Sequence, residues 1–147
     1  MRAFYLRGPL TGGLCNQIEG ILGCVLIAQR YGLPLVVPRL STHVRGGGNV
    51  SFSSIFRLDL FVSTMRLHNL TVVEMPVTEL RNDSRSYKPL WARFHWMHHT
   101  AQRLNASLPL LPIEDAVYRG LRPVPRIERR AHAIIDRKLH RSSYGCL

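Results

Sequence analysis

The first forty residues alternate between short apolar runs and turns marked by glycine or proline. Residues 2–6 are rich in aromatic and aliphatic side chains, which predicts a short strand. From Ile18 onward apolar residues recur at helical spacing and then fill nearly the whole circumference, which predicts a buried helix. Gly32 is placed to end this helix, and the apolar run 35–37 is typical of a buried strand. Strand, helix and strand in this order predict a βαβ unit and a parallel sheet.

The middle of the chain has a looser pattern. Residues 42–50 contain three consecutive glycines and read as an exposed loop. Apolar positions in 52–65 recur at spacings that predict short helical turns, and 70–73 form an apolar run that predicts a third strand. The polar segment 81–89 is predicted to be a loop.

The C-terminal part of the sequence predicts two helices. One covers residues 91–104, and after two prolines at 109 and 112 interrupt the chain, the other begins near Pro125. This last helix carries Ile127, Ala131, Ile134 and Ile135 on one face. Residues 143–147 read as the start of another strand.

Composition limits the class of protein. The 147 residues are one domain in length, and 46% apolar with 20% charged residues is typical of a globular domain rather than a disordered, collagen-like or coiled-coil chain. The longest apolar run, 20–28, is too short for a transmembrane helix.

The charge balance is strongly basic, with 20 Lys and Arg against 9 Asp and Glu and a net charge of +11. Such a balance suits nucleic acid, anionic membrane or phosphorylated ligands. The basic stretch 119–141 is either a surface that binds nucleic acid or the solvated face of a helix. Nucleic-acid-binding surfaces usually carry aromatic side chains on which bases stack, and here only Tyr118 and Tyr144 flank the stretch. We therefore expect no nucleic-acid partner and keep a nucleic-acid module as an alternative.

Cysteine and histidine spacing argues against a disulfide and against a metal site. Cys15 and Cys24 would lie ~13 Å apart along one helix, too far for a disulfide, and both are expected to be buried thiols. His95, His98 and His99 have ligand-like helical spacing, but no glutamate of a metalloprotease motif and no cysteine lies near them. No metal is expected.

A glycine turn follows the first predicted strand and is the best candidate site. Gly12 and Gly13 would let a phosphate or sugar approach the backbone, at the carboxyl end of a parallel strand where ligands bind. Asn16 is predicted to cap the helix, with Glu19 completing a capping box. The alternative is a tight turn with a helix cap, because neither a dinucleotide fingerprint nor a P-loop is present.

Four of the five asparagines begin an Asn-X-Ser/Thr triplet. Such triplets are glycan acceptors only in proteins that enter the secretory pathway. The candidates are Asn49, Asn69, Asn82 and Asn105, and they predict a lumenal protein although no signal sequence is visible.

Several segments in order resemble the GDP-fucose protein O-fucosyltransferase family. The run Gly-Gly-Leu-Cys-Asn-Gln at 12–17, followed by an apolar helix and the strand at 35–40, resembles the opening of that family. Residues 51–61 are similar to its Phe-X-X-Ile-Phe-Asp-Val-Asp-X-Phe segment. Residues 72–76 are placed like its next strand and proline, and 121–127 resemble the approach to the interdomain helix.

The resemblance implies an α/β fold with a Rossmann-like parallel sheet and flanking helices, the N-terminal domain of a GT-B glycosyltransferase, truncated. Residues 1–147 would be that domain, with about 124–147 starting the interdomain helix and next strand, and the C-terminal donor-binding domain absent. The donor would be GDP-fucose, without metal or other cofactor. Site residues that carry over are Gly12, Gly13, Leu14, Asn16 and Gln17. Some relatives have an arginine that holds the donor where this chain has Gly13, and no catalytic residue is assigned.

The function implied is transfer of fucose to a hydroxyl of a protein or glycan acceptor in the Golgi or ER lumen, and this chain alone is expected to be inactive. Membrane attachment would come only through a missing N-terminal anchor. The alternatives are the basic nucleic-acid-binding module and a non-catalytic interaction domain.

Overall fold

A parallel sheet flanked by helices forms the frame of the computed structural model, which describes residues 3–6, 9–42, 48–74, 85–87 and 111–139. In chain order its elements are β1 (Phe4–Leu6), α1 (Leu14–Arg30), β2 (Leu35–Val36), β3 (Leu40–Ser41), β4 (Asn49–Val50), a 3-10 turn (Phe52–Ser54), α2 (Leu58–Arg66), β5 (Val72–Val73), β6 (Arg85–Tyr87), α3 (Leu111–Gly120) and α4 (Pro125–Leu139).

The sheet has four parallel strands in the order β5-β2-β1-β6. Phe4 of β1 is in register with Leu35 on one side and with Arg85 on the other, and Leu35 is in register with Val72. If these four strands are renumbered 1 to 4 in chain order, their order across the sheet is 3-2-1-4. This order is typical of half of a Rossmann-like sheet. The α/β class and the parallel βαβ unit predicted from the sequence are therefore confirmed. A separate antiparallel pair, β3 with β4, was not predicted.

Helix α1 is the centre of the core, as its apolar circumference predicted. Every residue from Gly20 to Ala28 is buried. Its C-terminal end is a Schellman motif: Gly32 has φ 60°, its N–H donates to the Gln29 carbonyl at 3.1 Å, and the Leu33 N–H donates to the Ala28 carbonyl at 2.9 Å. The predicted end of the helix at Gly32 is confirmed. This cap directs the chain back to the sheet, where β2 pairs with β1.

Three phenylalanines extend the core towards the helices that follow. The ring centroid of Phe52 lies 5.3 Å from that of Phe56 and 5.0 Å from that of Phe61, in tilted arrangements that aromatic pairs favour. All three are buried, together with Met65 of α2 and Val117 of α3. The helical turns predicted over residues 52–65 are confirmed.

Two elements differ from the sequence prediction. Residues 85–87, predicted as part of a loop, form β6, because the free edge of β1 supplies backbone partners that an Arg-Ser-Tyr segment can use without an apolar run. Helix α3 lies where two prolines were predicted to interrupt the chain. Pro112 is the second residue of this helix, a position where the missing N–H costs no hydrogen bond. The helix predicted at 91–104 and the strand predicted at 143–147 lie outside the described residues.

Helix α4 begins at Pro125 as predicted, but its apolar face is open over the described part of the chain. Ile127 is partly buried, whereas Ile134 and Ile135 are 50% and 52% exposed. Within the described ranges, no helix is both long and apolar enough to cross a membrane.

Candidate functional site

The candidate site lies at the carboxyl ends of the sheet strands, where β1 and β2 both end. Because these strands are parallel, the chain leaves both at the same edge, first towards the glycine turn and then towards β3. The Leu10 N–H donates to the Arg39 carbonyl at 2.8 Å, and the Ser41 N–H donates to the Leu10 carbonyl at 3.0 Å. These bonds hold the segment after β1 beside the segment after β2.

The turn after β1 depends on glycine at position 12. Gly12 has φ 92°, a conformation that side chains with a β-carbon rarely adopt. A β-carbon there would also lie 3.0 Å from Asn16 Nδ2 and 3.2 Å from Asn16 Cβ. Gly13, in contrast, has ordinary extended geometry with φ −63° and ψ 164°. The arginine that the resemblance implies at this position in some family members would therefore be compatible with the backbone of the turn.

The predicted capping box is wrong. Gly13 is the N-cap of α1 and makes no side-chain cap hydrogen bond, while Asn16 is already the third residue of the helix. The Gly12 turn starts the helix earlier than the asparagine pattern suggested. Glu19 instead accepts a hydrogen bond from the Tyr118 hydroxyl at 2.8 Å, which ties α1 to α3.

Gln17 joins the glycine turn to β3. Its side chain is 3% exposed, its Nε2 donates to the Gly12 carbonyl at 2.8 Å and to the Ser41 carbonyl at 3.1 Å, and its Oε1 accepts from the Ser41 N–H at 3.0 Å. Both amide protons are thus used by main-chain oxygens, as a buried amide requires. In this arrangement Gln17 orders the turn.

A pocket of about 240 Å³ opens between the glycine turn and the start of α4. Its lining residues are Gly12, Leu14, Gln17, Leu40, Ser41, Thr42, Val50, Ile55 and Ile127. These side chains are apolar or neutral and polar, and none of them is charged. The pocket therefore fits a neutral group better than a diphosphate.

Backbone pairing brings the start of α4 to this pocket. The Arg57 N–H donates to the Arg122 carbonyl at 2.8 Å, and the Val124 N–H donates to the Ile55 carbonyl at 2.9 Å. Ile127 follows directly, and it lines the pocket together with Ile55. No local sequence signal predicts this juxtaposition, because it joins segments far apart in the chain.

The N-terminal end of α1 is accessible beside the pocket. Leu14 is 52% exposed, Cys15 is exposed, and the first turn of the helix holds no acidic residue. The partial positive charge of a helix N-terminus is therefore not neutralised by its own first turn. The prediction that Cys15 is buried is wrong, since it lies on the first, outward-facing turn; Cys24 is buried, and burial raises the pKa of its thiol well above the usual range.

The five predicted site residues lie together. Gly12, Leu14 and Gln17 line the pocket; Gly13 and the partly buried Asn16 lie next to it in the turn and first helical turn. The sequence did not identify the other lining residues. Of the glycan candidates, Asn49 and Asn69 are exposed, while Asn82 and Asn105 lie outside the described residues, as do the three clustered histidines. Among the side chains that are described, no group of three His, Cys, Asp or Glu is placed to hold a metal ion.

Comparison with curated proteins gives matches to plant O-fucosyltransferases. The chain is 31% identical over 115 residues to O-fucosyltransferase 20 of Arabidopsis thaliana, a match that covers 73% of this chain and 19% of that protein. It is 32% identical over 113 residues to O-fucosyltransferase 24 of the same plant, covering 75% and 20%. With O-fucosyltransferase 31 it shares 36% identity over 73 residues, covering 50% and 14%.

These matches support a resemblance to O-fucosyltransferases over part of the chain. The chain spans a fifth or less of the length of the curated relatives that it matches. No protein-family model matches the chain, and no solved structure matches it significantly.

Proposed function

We propose that this chain is the N-terminal, Rossmann-like domain of a glycosyltransferase of GT-B architecture that transfers fucose from GDP-fucose to a hydroxyl acceptor. One observation carries the proposal. The glycine turn follows β1 at the point where the strand order reverses, between β2 on one side and β6 on the other. Ligands of open parallel sheets bind outside the carboxyl ends of the strands at such a point.

The chemistry of the pocket supports a division of labour in this enzyme. A pocket whose described lining residues are all uncharged suits a neutral group, such as the sugar or the part of the acceptor near the reacting hydroxyl. The diphosphate of the donor needs cationic partners as negative charge develops on it. We place those partners, and the catalytic residue, in parts of the enzyme outside the described residues. The accessible N-terminus of α1 adds a favourable field for the leaving group.

The proposal also names the partners and the compartment. The donor is a nucleoside-diphosphate sugar, and the acceptor is a protein or glycan with a free hydroxyl. No metal ion or cofactor is part of the proposed reaction. Because its acceptors would be glycoproteins or glycans, the complete enzyme would act in the lumen of the secretory pathway. The four Asn-X-Ser/Thr triplets in 147 residues agree with this compartment.

A paired glycine substitution tests the proposal in the complete protein. Gly12→Ala introduces a β-carbon at positive φ next to Asn16, whereas Gly32→Ala introduces one at positive φ with no atom within 4 Å, at the opposite edge of the sheet. We expect Gly12→Ala to reduce fucose transfer from radiolabelled GDP-fucose at least ~10-fold, the effect of roughly 1.4 kcal/mol on the barrier. Gly32→Ala should keep most of the activity at equal folded fraction.

The isolated chain offers a second test. Positioning of donor and acceptor across a cleft accounts for about 7–11 kcal/mol of barrier lowering in such reactions, so residues 1–147 alone should not transfer fucose. Calorimetry at physiological salt should show only weak, salt-dependent binding of GDP-fucose, through the net charge of +11. Micromolar binding that is insensitive to salt, or turnover by the isolated chain, would contradict the proposed division between the domains.

A further inference from the structure

A second pocket, of about 360 Å³, lies at the amino ends of the sheet strands, opposite the candidate site. It is bordered by the end of α1, the residues before β2 and the residues before β5. Its lining residues are Gln29, Gly32, Leu33, Pro34, His68, Asn69, Leu70 and Thr71. The volume is within the range of small-molecule sites, and none of the residues of the proposed fucosyl-transfer site contributes to it.

Asn69 is held at the rim of this pocket by a turn of defined geometry. It has φ 58°, its N–H donates to the Arg66 carbonyl at 3.0 Å, and the Leu70 N–H donates to the Met65 carbonyl at 3.1 Å. This is a Schellman ending of α2 with asparagine in the left-handed position. Burial of Leu70 anchors the turn, so that the side chain of Asn69 stays exposed beside the pocket.

We propose that Asn69 carries an N-linked glycan whose first sugar lies in this pocket. Asn69, Leu70 and Thr71 form an acceptor triplet, and both Asn69 and Thr71 are exposed. The donor is an oligosaccharide linked to a polyprenyl diphosphate. The Asn69 Nδ2 forms a bond to the anomeric carbon, the bond from that carbon to the diphosphate oxygen breaks, and one amide proton is released.

The lining of the pocket matches the chemistry of a sugar. Gln29, His68 and Thr71 offer amide, imidazole and hydroxyl groups for the sugar hydroxyls, while Leu33 and Pro34 offer apolar surface for the ring face. Among the described residues, no Lys, Arg, Asp or Glu side chain lines the pocket, so a neutral ligand is favoured over a charged one. The linkage at the rim means that the sugar binds at high effective concentration.

Asn49 provides a matched comparison within the same chain. It also begins an exposed triplet, but it lies on β4, and the hydroxyl of its Ser51 is 2.6 Å from the Ser54 hydroxyl. Asn49 lines neither of the two pockets. A glycan on Asn49 is therefore expected to extend into solvent and to leave stability unchanged.

The test compares secreted and bacterial protein. The 147-residue chain is secreted from a eukaryotic host behind a cleavable signal, its glycopeptides are mapped by mass spectrometry, and its melting temperature is measured after trimming to one sugar. Thr71→Ala removes the acceptor triplet without changing Asn69, Thr71→Ser keeps it, and Ser51→Ala removes the triplet of Asn49. Each variant is also made in bacteria, where no glycan is added, to correct for the substitution itself.

We expect glycan on Asn69 in the wild type and in Thr71→Ser, and a melting temperature about 3 °C higher than that of Thr71→Ala after the bacterial correction. Ser51→Ala should show no corrected shift. Gln29→Ala should keep the glycan on Asn69 but reduce the shift, because it removes one of the three polar partners of the sugar.

Two results would overturn the proposal. One is secreted protein without glycan on Asn69. The other is an occupied Asn69 whose stabilising effect is absent, equals that of Asn49, or persists unchanged in Gln29→Ala. The proposal needs only entry into the lumen, so fucose transfer by the complete enzyme can fail without affecting it.

Discussion

Gln17 and Ser41 pair through both ends of the glutamine amide, with Oε1 accepting from the Ser41 N–H at 3.0 Å and Nε2 donating to the Ser41 carbonyl at 3.1 Å. The Gln17 side chain thus makes the hydrogen bonds to Ser41 that a neighbouring strand would otherwise make to β3. We expect Gln17→Leu to lower the free energy of unfolding by about 1–3 kcal/mol, because the partly buried carbonyls of Gly12 and Ser41 lose the amide that donates to them. Urea unfolding followed by circular dichroism measures this.

The matched control for that substitution is Gln29→Leu, which makes the same exchange at a partly buried position near the other end of α1. In protein made in bacteria, which carries no glycan, it should change the unfolding free energy by much less. Equal effects of the two variants would mean that the Gln17 hydrogen bonds contribute no special stability.

Because of Tyr118, the free energy of unfolding is expected to depend on pH in the alkaline range. Burial, followed by the hydrogen bond to the Glu19 carboxylate, raises the pKa of Tyr118 from 10.0 to about 12. The folded state therefore holds the phenol proton more tightly than the unfolded state, and this stabilisation is complete below pH 10 and is lost as the pH rises towards 12. Urea unfolding at several pH values should show that the wild type loses stability over this range more steeply than Tyr118→Phe.

The partner of that hydrogen bond can be tested by Glu19→Gln, which removes the carboxylate charge and keeps an acceptor. The pKa of Tyr118 should fall towards its ordinary value, as seen in the phenolate absorbance that Tyr118→Phe removes. An unchanged titration would show that Glu19 contributes nothing to the shift.

The two described cysteines should differ sharply in reactivity. Cys15 is exposed at the first turn of α1, whereas burial raises the pKa of the Cys24 thiol and shields it from reagents. In a Cys146→Ser background, since Cys146 lies outside the described residues, one thiol should react with a chromogenic disulfide reagent in native buffer and the second only in denaturant.

The control for thiol labelling is the double variant Cys15→Ser, Cys146→Ser. It should show no reaction in native buffer. Rapid native labelling in this variant would mean that Cys24 is reached by opening of the core around α1.

The sequence predicted the elements whose local signals agree with their packing. Helix α1 and its end at Gly32 carry both an apolar circumference and a cap residue, and the structure has them as predicted. Strand β6 has no such signal, since Arg85, Ser86 and Tyr87 form a strand only because β1 offers its edge. Helix α3 was not predicted, because a proline such as Pro112 usually indicates the end of a helix. In the structure Pro112 is instead the second residue of the helix.

The candidate site was predicted in part for the same reason. The Gly12 turn is a local feature and its position after β1 follows from the βαβ pattern. The wall formed by Ile55 and Ile127 is not local, because it depends on backbone pairing between residues 55–57 and 122–124. The roles of the five site residues in binding stay predictions.

The pairing of Phe4 with Leu35 on one side and with Arg85 on the other has a consequence for the order of folding. Closing the chain between β1 and β2 spans only the α1 segment, whereas closing it between β1 and β6 spans more than twice that length and costs more entropy. The β1-α1-β2 unit should therefore form in the folding transition state, with β6 adding afterwards. Changes that weaken the β1–β2 contact should slow refolding, and changes that weaken β6 should chiefly accelerate unfolding.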